Sequence, residues 1–268
     1  MKSRVGIVKR KKPNKIRFIP TDRLIMVAGN YGSGKTEVAV NLAIALTGKG
    51  VQVSIADLDI VNPYFRCREA QSLMEDHGIR VVVPPAALSW ADLPIVVPEI
   101  KGMLQPAENQ MSIFDVGGDE VGARLLSSLV DPLGDSPYAL WQVINSRRPF
   151  TDTVEGCLKM KAGIEKTSRL EVTGLVVNSH LMQETTPEVI LEGWRLARQV
   201  SEQSGTPIMF VTAMDDLADA PELGEVESPI LRLMRYMLPP WIRPEHQKET
   251  KKTPAGRSVP IGRPQGAK

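Results

Sequence analysis

The sequence predicts an α/β protein, a doubly wound, mostly parallel sheet with helices on both faces. Three observations carry that reading. Short β-rich runs alternate with helix-patterned stretches through the body of the chain, the order that builds parallel crossovers. Several of those runs are apolar almost throughout, as strands covered on both faces must be. A glycine-rich stretch follows the first run directly and opens the first helical pattern. At 268 residues, with 42% apolar and 24% charged side chains, the chain can bury a full core without disulfide or metal staples.

Taken in order, strands are expected over Leu24–Ala28, Val51–Ala56, Ile79–Val83, Met111–Val116, Tyr138–Ile144, Val172–Asn178 and Pro207–Thr212. Helices are expected over Lys35–Thr47, Tyr64–His77, Glu120–Val130, Asp152–Thr167, Pro187–Ser204 and Pro229–Met237. The helix at 187 has good start chemistry, with Thr186 to cap, Pro187 at the first position and Glu188 in the first turn. At 151, Thr151 or Asp152 can cap, with Glu155 three residues beyond Asp152. Residues 84–110 carry five prolines and read as irregular, either a lid or a long crossover.

Charge divides the chain into three. Residues 1–18 hold eight Lys/Arg and no acid, and residues 241–268 hold seven Lys/Arg against two Glu. With a net charge of +2 overall, the body between them is left at −11. The expected organisation is a basic extension over 1–20, one nucleotide-binding domain over 21–240 and a disordered basic tail over 241–268. An acidic body argues against a broad nucleic-acid face, so any such contact would fall to the basic ends. No apolar run reaches transmembrane length, and the basic N-terminus lacks the apolar stretch of a secretory signal. Cys67 and Cys157 stand 90 residues apart without a CxxC pattern, and the three histidines are scattered. A disulfide framework and a zinc site are thereby excluded, and a reducing cytoplasm is the expected compartment.

Gly29-Asn30-Tyr31-Gly32-Ser33-Gly34-Lys35-Thr36 matches G-x-x-x-x-G-K-[ST]. Glycines are required where backbone N–H groups wrap phosphates, because side chains would block the approach. The helix N-terminus that follows adds favourable potential for an anion. Lys35 can reach the β- and γ-phosphates, and the Thr36 hydroxyl can ligate Mg²⁺. Glu37 completes the candidate nucleotide-contacting set. A dinucleotide fold is disfavoured, since its glycines are spaced differently.

Such a loop needs carboxylates nearby. The second strand leads into Asp57-Leu58-Asp59, and the fourth ends in Asp115-Val116-Gly117-Gly118. Acids at the carboxyl ends of parallel strands stand in the crevice where open α/β sheets bind ligands. Asp115 is the candidate to hold Mg²⁺ through water, and the Gly118 N–H the candidate to sense the γ-phosphate. Asp59 is the candidate to position the attacking water, and Asp57 to support metal or loop. Lys35, Asp59 and Asp115 are therefore the expected catalytic set, and Thr36, Asp57 and Asp115 the expected metal set.

The segments GNYGSGKT, DLDIVNPYFR, FDVGG and VVNS together resemble the MinD/ParA/Mrp group of P-loop ATPases, within the wider SIMIBI class. That group is related to the nucleotide-binding domains of cobyrinic acid diamide synthases and dethiobiotin synthetase, and the resemblance covers about residues 22–215. It implies that Asp59 is tied to hydrolysis in a first switch segment, and that Asp115 and Gly118 open a second. It also implies that Asn178, ending the sixth strand, reads the base. One departure matters: MinD-like loops carry a lysine where this chain has Asn30, and that lysine reaches across a dimer to the other subunit's phosphates. A nucleotide-dependent homodimer is thus an open expectation, and charge assistance cannot come from position 30.

Several further segments admit two readings. Asn145-Ser146-Arg147-Arg148 follows the fifth strand at the ligand edge and reads either as a phosphate or partner contact or as a plain exposed loop. Asn62–Arg66 reads as a switch segment or as a turn leading into a helix. Cys67, Val189, Leu196, Val200 and Met209 read as core, and Ala213-Met214-Asp215 as the place for base contacts. The leading expectation is a Mg²⁺-dependent nucleoside triphosphatase that drives a conformational cycle on an unknown protein client. An ATP-dependent ligase-type enzyme and a nucleotide-binding adaptor without turnover are the alternatives. Asn178 is followed by Ser179-His180-Leu181 rather than by a guanine-reading N-K-x-D, so ATP is preferred and GTP stays allowed.

Overall fold

Eight strands hydrogen-bond into one sheet in the order β3-β2-β4-β1-β5-β6-β7-β8, and every neighbouring pair is parallel. The computed structural model describes residues 18–59, 70–83, 98–118 and 120–237. The strands are β1 Leu24–Gly29, β2 Gln52–Leu58, β3 Arg80–Val82, β4 Gln110–Val116, β5 Ala139–Ile144, β6 Gly174–Val177, β7 Ile208–Met214 and β8 Ile230–Leu233. The helices are α1 Lys35–Thr47, α2 Gln71–Asp76, α3 Pro98–Lys101, α4 Glu120–Ser127, α5 Val130–Leu133, α6 Val154–Ser168 and α7 Pro187–Ser204.

The core sits on both faces of the sheet, and β1 shows why. Its six residues are all buried. Ile25 and Val27 join the apolar cluster that holds α1, whereas Leu24, Met26 and Ala28 join the cluster with Leu125, Leu126 and Ile164 opposite. A two-residue period on a strand covered twice gives an unbroken apolar run. A third cluster joins β6 and β7 to α6 and α7 through Leu175, Val177, Cys157, Trp194 and Val211. Helix α1 buries ten of its thirteen residues, which accounts for its lack of a polar face. Among the described residues no helix is long and apolar enough to cross a membrane.

The expected elements recur with shifts at their ends and several corrections. Residues Pro229–Met237, read as a helix, instead supply β8 and an extended segment. Ile230, Leu231, Arg232 and Leu233 alternate between half-buried and buried and pair with Val211–Met214, so a two-residue period prevails over the helical one. The helix expected over Glu120–Val130 divides into α4 and α5. Thr153, rather than Thr151 or Asp152, caps α6 by accepting from the Gly156 N–H at 3.1 Å. The stretch read as irregular over 84–110 contains the short helix α3. Residues 60–69 and 84–97, both basic ends and Cys67 lie outside the described residues.

These strands set the site. β1 lies between β4 and β5, the point from which the sheet grows in both directions, so its carboxyl end opens onto the ligand crevice of the fold.

Candidate functional site

The loop between β1 and α1 turns through three glycines at positive φ, namely Gly29, Gly32 and Gly34. At Gly34 the requirement is twofold: φ is +84°, and a Cβ there would stand 2.2 Å from Asn178 Nδ2. The loop then feeds directly into the N-terminus of α1, the positive end of the helix dipole.

Side chains hold the loop open from three directions. Asn178 Nδ2 donates to the Ser33 carbonyl at 2.7 Å, while its Oδ1 accepts from the Thr212 hydroxyl at 2.6 Å. Asn30 Nδ2 donates to Pro149 O at 2.7 Å, and its Oδ1 accepts from Tyr31 N at 2.8 Å. Arg148 Nε donates to Gly32 O at 3.1 Å. The turn after β5 and the ends of β6 and β7 are thus pinned to the loop. Ser146 and Asn145 extend the network by bonding to Ser179 and to the His180 N–H.

Lys35 is buried, and its Nζ donates to the Asn30 carbonyl at 3.0 Å. Gly118 closes over it: a Cβ at that position would lie 2.7 Å from Lys35 Nζ and 2.8 Å from Tyr31 N. Glycine is what lets the segment after β4 meet the loop backbone.

Asp57 and Asp115 are register partners on β2 and β4, and both are fully buried. The Asp57 carboxylate accepts the Asp59 N–H at 3.1 Å, so Asp57 shapes the turn that delivers Asp59 to the crevice. Both oxygens of Asp115 are buried without a hydrogen bond of ordinary geometry, although the Thr36 hydroxyl lies close enough to offset part of that cost. Burial and then the Asp57 charge push the Asp115 carboxyl up to about 8. An orphaned acid of this kind needs a cation or its waters. The donor set, one hydroxyl and buried carboxylate oxygens, fits a hard, oxygen-seeking ion such as Mg²⁺. No group of three or more His, Cys, Asp or Glu among the described residues is placed to ligate one ion, so most ligands would come from phosphate and water.

One cavity joins these parts. Its lining includes Tyr31, Lys35, Thr36, Asp59 and Arg148 as well as Asn178, His180, Met214, Arg235 and Met237. Burial, then the charges of Arg148 and Arg235, push the His180 imidazole down to about 4, so it is neutral at ordinary pH. Glu37 also lines the wall, but its carboxylate accepts from Tyr236 N at 2.7 Å and Met237 N at 3.0 Å. It therefore ties the segment after β8 to α1.

The sequence-predicted site residues are therefore all found around the end of β1. Asn178 and Glu37 reach it with their side-chain polar groups engaged in protein contacts. Of the expected base-contacting loop, Ala213 and Met214 line the cavity, while Asp215 pairs with Arg232. Arg148 stood in a segment with two readings, and the structure places it against the loop. Arg235 and Met237 were missed because their segment read as helix.

No protein-family profile matches the chain. In sequence it is 22% identical, over 219 residues spanning 75% of this chain and 74% of the relative, to an iron–sulfur cluster carrier protein of Saccharolobus solfataricus. In structure it is similar to the signal recognition particle receptor FtsY of Elizabethkingia anophelis in complex with GDP, with TM-score 0.50 and 19% identity. It is equally similar to the cell division protein FtsY of Thermotoga maritima, again with TM-score 0.50 and 19% identity. The likenesses cover 73% and 75% of this chain, which spans 58% and 64% of those two structures. The architecture is the α/β P-loop NTPase fold.

Proposed function

We propose that this protein binds a nucleoside triphosphate, ATP by preference, and hydrolyses it with Mg²⁺ as a conformational switch acting on a protein client. The observation that carries the reading is Asp115, whose two buried oxygens have no hydrogen bond of ordinary geometry among the described residues, beside Thr36 and Lys35 at a phosphate-binding loop. A buried carboxylate that destabilises the empty fold is what a cation-dependent site retains for function.

In this reading the loop amides and the α1 N-terminus bind the phosphate chain, and Lys35 leaves the Asn30 carbonyl to reach it. Thr36 and Asp115, the latter through water, would hold Mg²⁺, which when bound neutralises phosphate charge; Asp57 supports that set by shaping the Asp59 turn. Asp59 orients a water against the γ-phosphorus. The water oxygen bonds to phosphorus, the bond to the β–γ bridging oxygen breaks, and its electron pair leaves with the nucleoside diphosphate. The proton released by water passes to solvent or to the phosphate formed. Gly118, packed on Lys35 and Tyr31, feels the γ-phosphate and relays its presence to the segment before α4.

The preference for ATP rests on which acceptors are free. Reading guanine at N1 and N2 takes a carboxylate. In the cavity, Glu37 is engaged by two backbone N–H groups, and Asp59 is the residue assigned to the attacking water. Membership of the MinD/ParA/Mrp branch is part of the same proposal. The cluster-carrying role of the S. solfataricus relative is not extended to this chain, which has two cysteines, no CxxC pair, and Cys157 buried in the core. Calorimetric titration with ATP and GTP, with and without Mg²⁺, tests the reading on wild type and Thr36→Ala. ATP should bind more tightly than GTP, and Mg²⁺ should strengthen binding only where Thr36 is present. Equal affinities, or Mg²⁺ dependence that survives in Thr36→Ala, would contradict it.

A further inference from the structure

Arg147 and Arg148 are adjacent in sequence and differ in circumstance. Arg147 is exposed and paired with Glu192. Arg148 is half-buried, and no carboxylate among the described residues forms an ion pair with it. Its guanidinium lies against the phosphate loop: Nε donates to Gly32 O at 3.1 Å, and a Cβ on Gly32 would stand 3.2 Å from Nε and 3.3 Å from Cζ. The turn that carries it is tightly bonded, with Arg148 N to Asn145 O at 3.1 Å, the Thr151 hydroxyl to the same carbonyl at 2.8 Å, and Pro149 O accepting from Asn30. A charged group on so rigid a turn is pre-positioned. The same cavity is lined by Lys35 and Thr36.

From this geometry we infer that Arg148 is a catalytic residue acting from within the same chain, a guanidinium that neutralises charge on the phosphates as the terminal bond breaks. The inference rests on the nucleotide-hydrolysing reading above. A Mg²⁺-bound triphosphate keeps roughly two negative charges, and cleavage shifts charge onto the bridging oxygen of the leaving diphosphate. Lys35 supplies one cation. Asn30 cannot supply the second, because it is uncharged and both ends of its amide are engaged within the chain. Arg148 lies against Gly32 of the same loop, lines the cavity, and can. Water still donates the oxygen and the diphosphate still takes the electron pair; the guanidinium transfers no proton.

The test is single-turnover hydrolysis of Mg²⁺-ATP by the full chain, wild type beside Arg148→Ala and Arg147→Ala, with diphosphate affinity measured on each. Arg148→Ala should lower the rate at least about 1,000-fold, the lower reach of what such a cation contributes. ADP affinity should change by less than about fivefold, and Arg147→Ala should stay within about threefold of wild type. Methylguanidinium ion should restore part of the Arg148→Ala rate saturably. The wild-type rate per molecule should not change with protein concentration. The inference is overturned if Arg148→Ala keeps the wild-type rate, or if the rate per molecule rises with concentration, which would place the second cation on another copy. It is overturned too if Arg148→Ala loses ADP binding and resists rescue, since Arg148 would then only hold the loop. A wild-type chain that hydrolyses no nucleotide removes the underlying reading and this inference with it.

Discussion

Asp57 and Asp115 stand at the same level of neighbouring parallel strands, both fully buried, and among the described residues the Asp57 carboxylate accepts the Asp59 N–H while that of Asp115 has no backbone donor. Two carboxylates side by side in a dry site repel each other, and the cost falls on Asp115. Asp115→Asn keeps the shape and removes the ionisable group whose charge the dry site opposes. It should raise the urea midpoint, stabilising the nucleotide-free fold by about 1–3 kcal/mol, the usual scale for relieving a strained functional site. The same variant should lose Mg²⁺-dependent turnover. A variant that is less stable and equally active would show that Asp115 is structural.

Asn178 is the strut between the phosphate loop and β7, through Ser33 O and the Thr212 hydroxyl. Asn178→Ala takes the side-chain donor from Ser33 O and leaves the Thr212 hydroxyl only its bond to Val177 O, and should cost about 1–3 kcal/mol in chemical denaturation. Nucleotide affinity should fall along with it, ATP and GTP alike, because the loop rather than the base contact is lost. A fall confined to one nucleotide would make Asn178 a base reader.

The segment after β8 is bound to α1 through Asn41, which donates to Met234 O at 2.9 Å and accepts from Met234 N at 2.8 Å. Asn41→Leu removes both bonds inside a buried contact. It should destabilise the fold by about 2–3 kcal/mol and expose residues 234–237 to limited proteolysis before the rest of the sheet is cut. Uniform digestion would contradict the tie.

His180 gives the fold a pH dependence. Its pKa falls from 6.5 to about 4 on folding, so the unfolded chain takes up a proton first as pH drops. The stability linked to His180 is complete above pH 6.5, shrinks as pH falls toward 4, and is level below that. The loss between pH 7 and 4.5 should be about 2–3 kcal/mol smaller in His180→Gln than in wild type, read from urea unfolding at the two pH values. Parallel losses would mean that His180 titrates freely in the folded chain.

Much of this is legible in the sequence because the signals are local. The apolar runs gave the parallel strands, and the G-x-x-x-x-G-K-T spacing gave the loop and α1. Acids at strand ends could be assigned to the crevice because parallel strands bring their carboxyl ends together. What was hidden depended on long-range pairing. Residues 230–233 carry an apolar pattern that suits helix or strand, and only the free edge of β7 decides between them. Arg148 resembles Arg147 in sequence, and the difference between them, a loop carbonyl for one and Glu192 for the other, exists only in three dimensions. Glu37 and Asn41 gave no sign that they would hold a segment nearly two hundred residues away.

The most direct test is phosphate release from ATP with Mg²⁺ by wild type, Lys35→Ala and Asp59→Ala, with nucleotide binding measured in parallel. Wild type should release phosphate, Lys35→Ala should abolish both release and tight binding, and Asp59→Ala should bind ATP while releasing phosphate at least about 100-fold more slowly. Wild-type release no faster than that of Lys35→Ala would contradict the account.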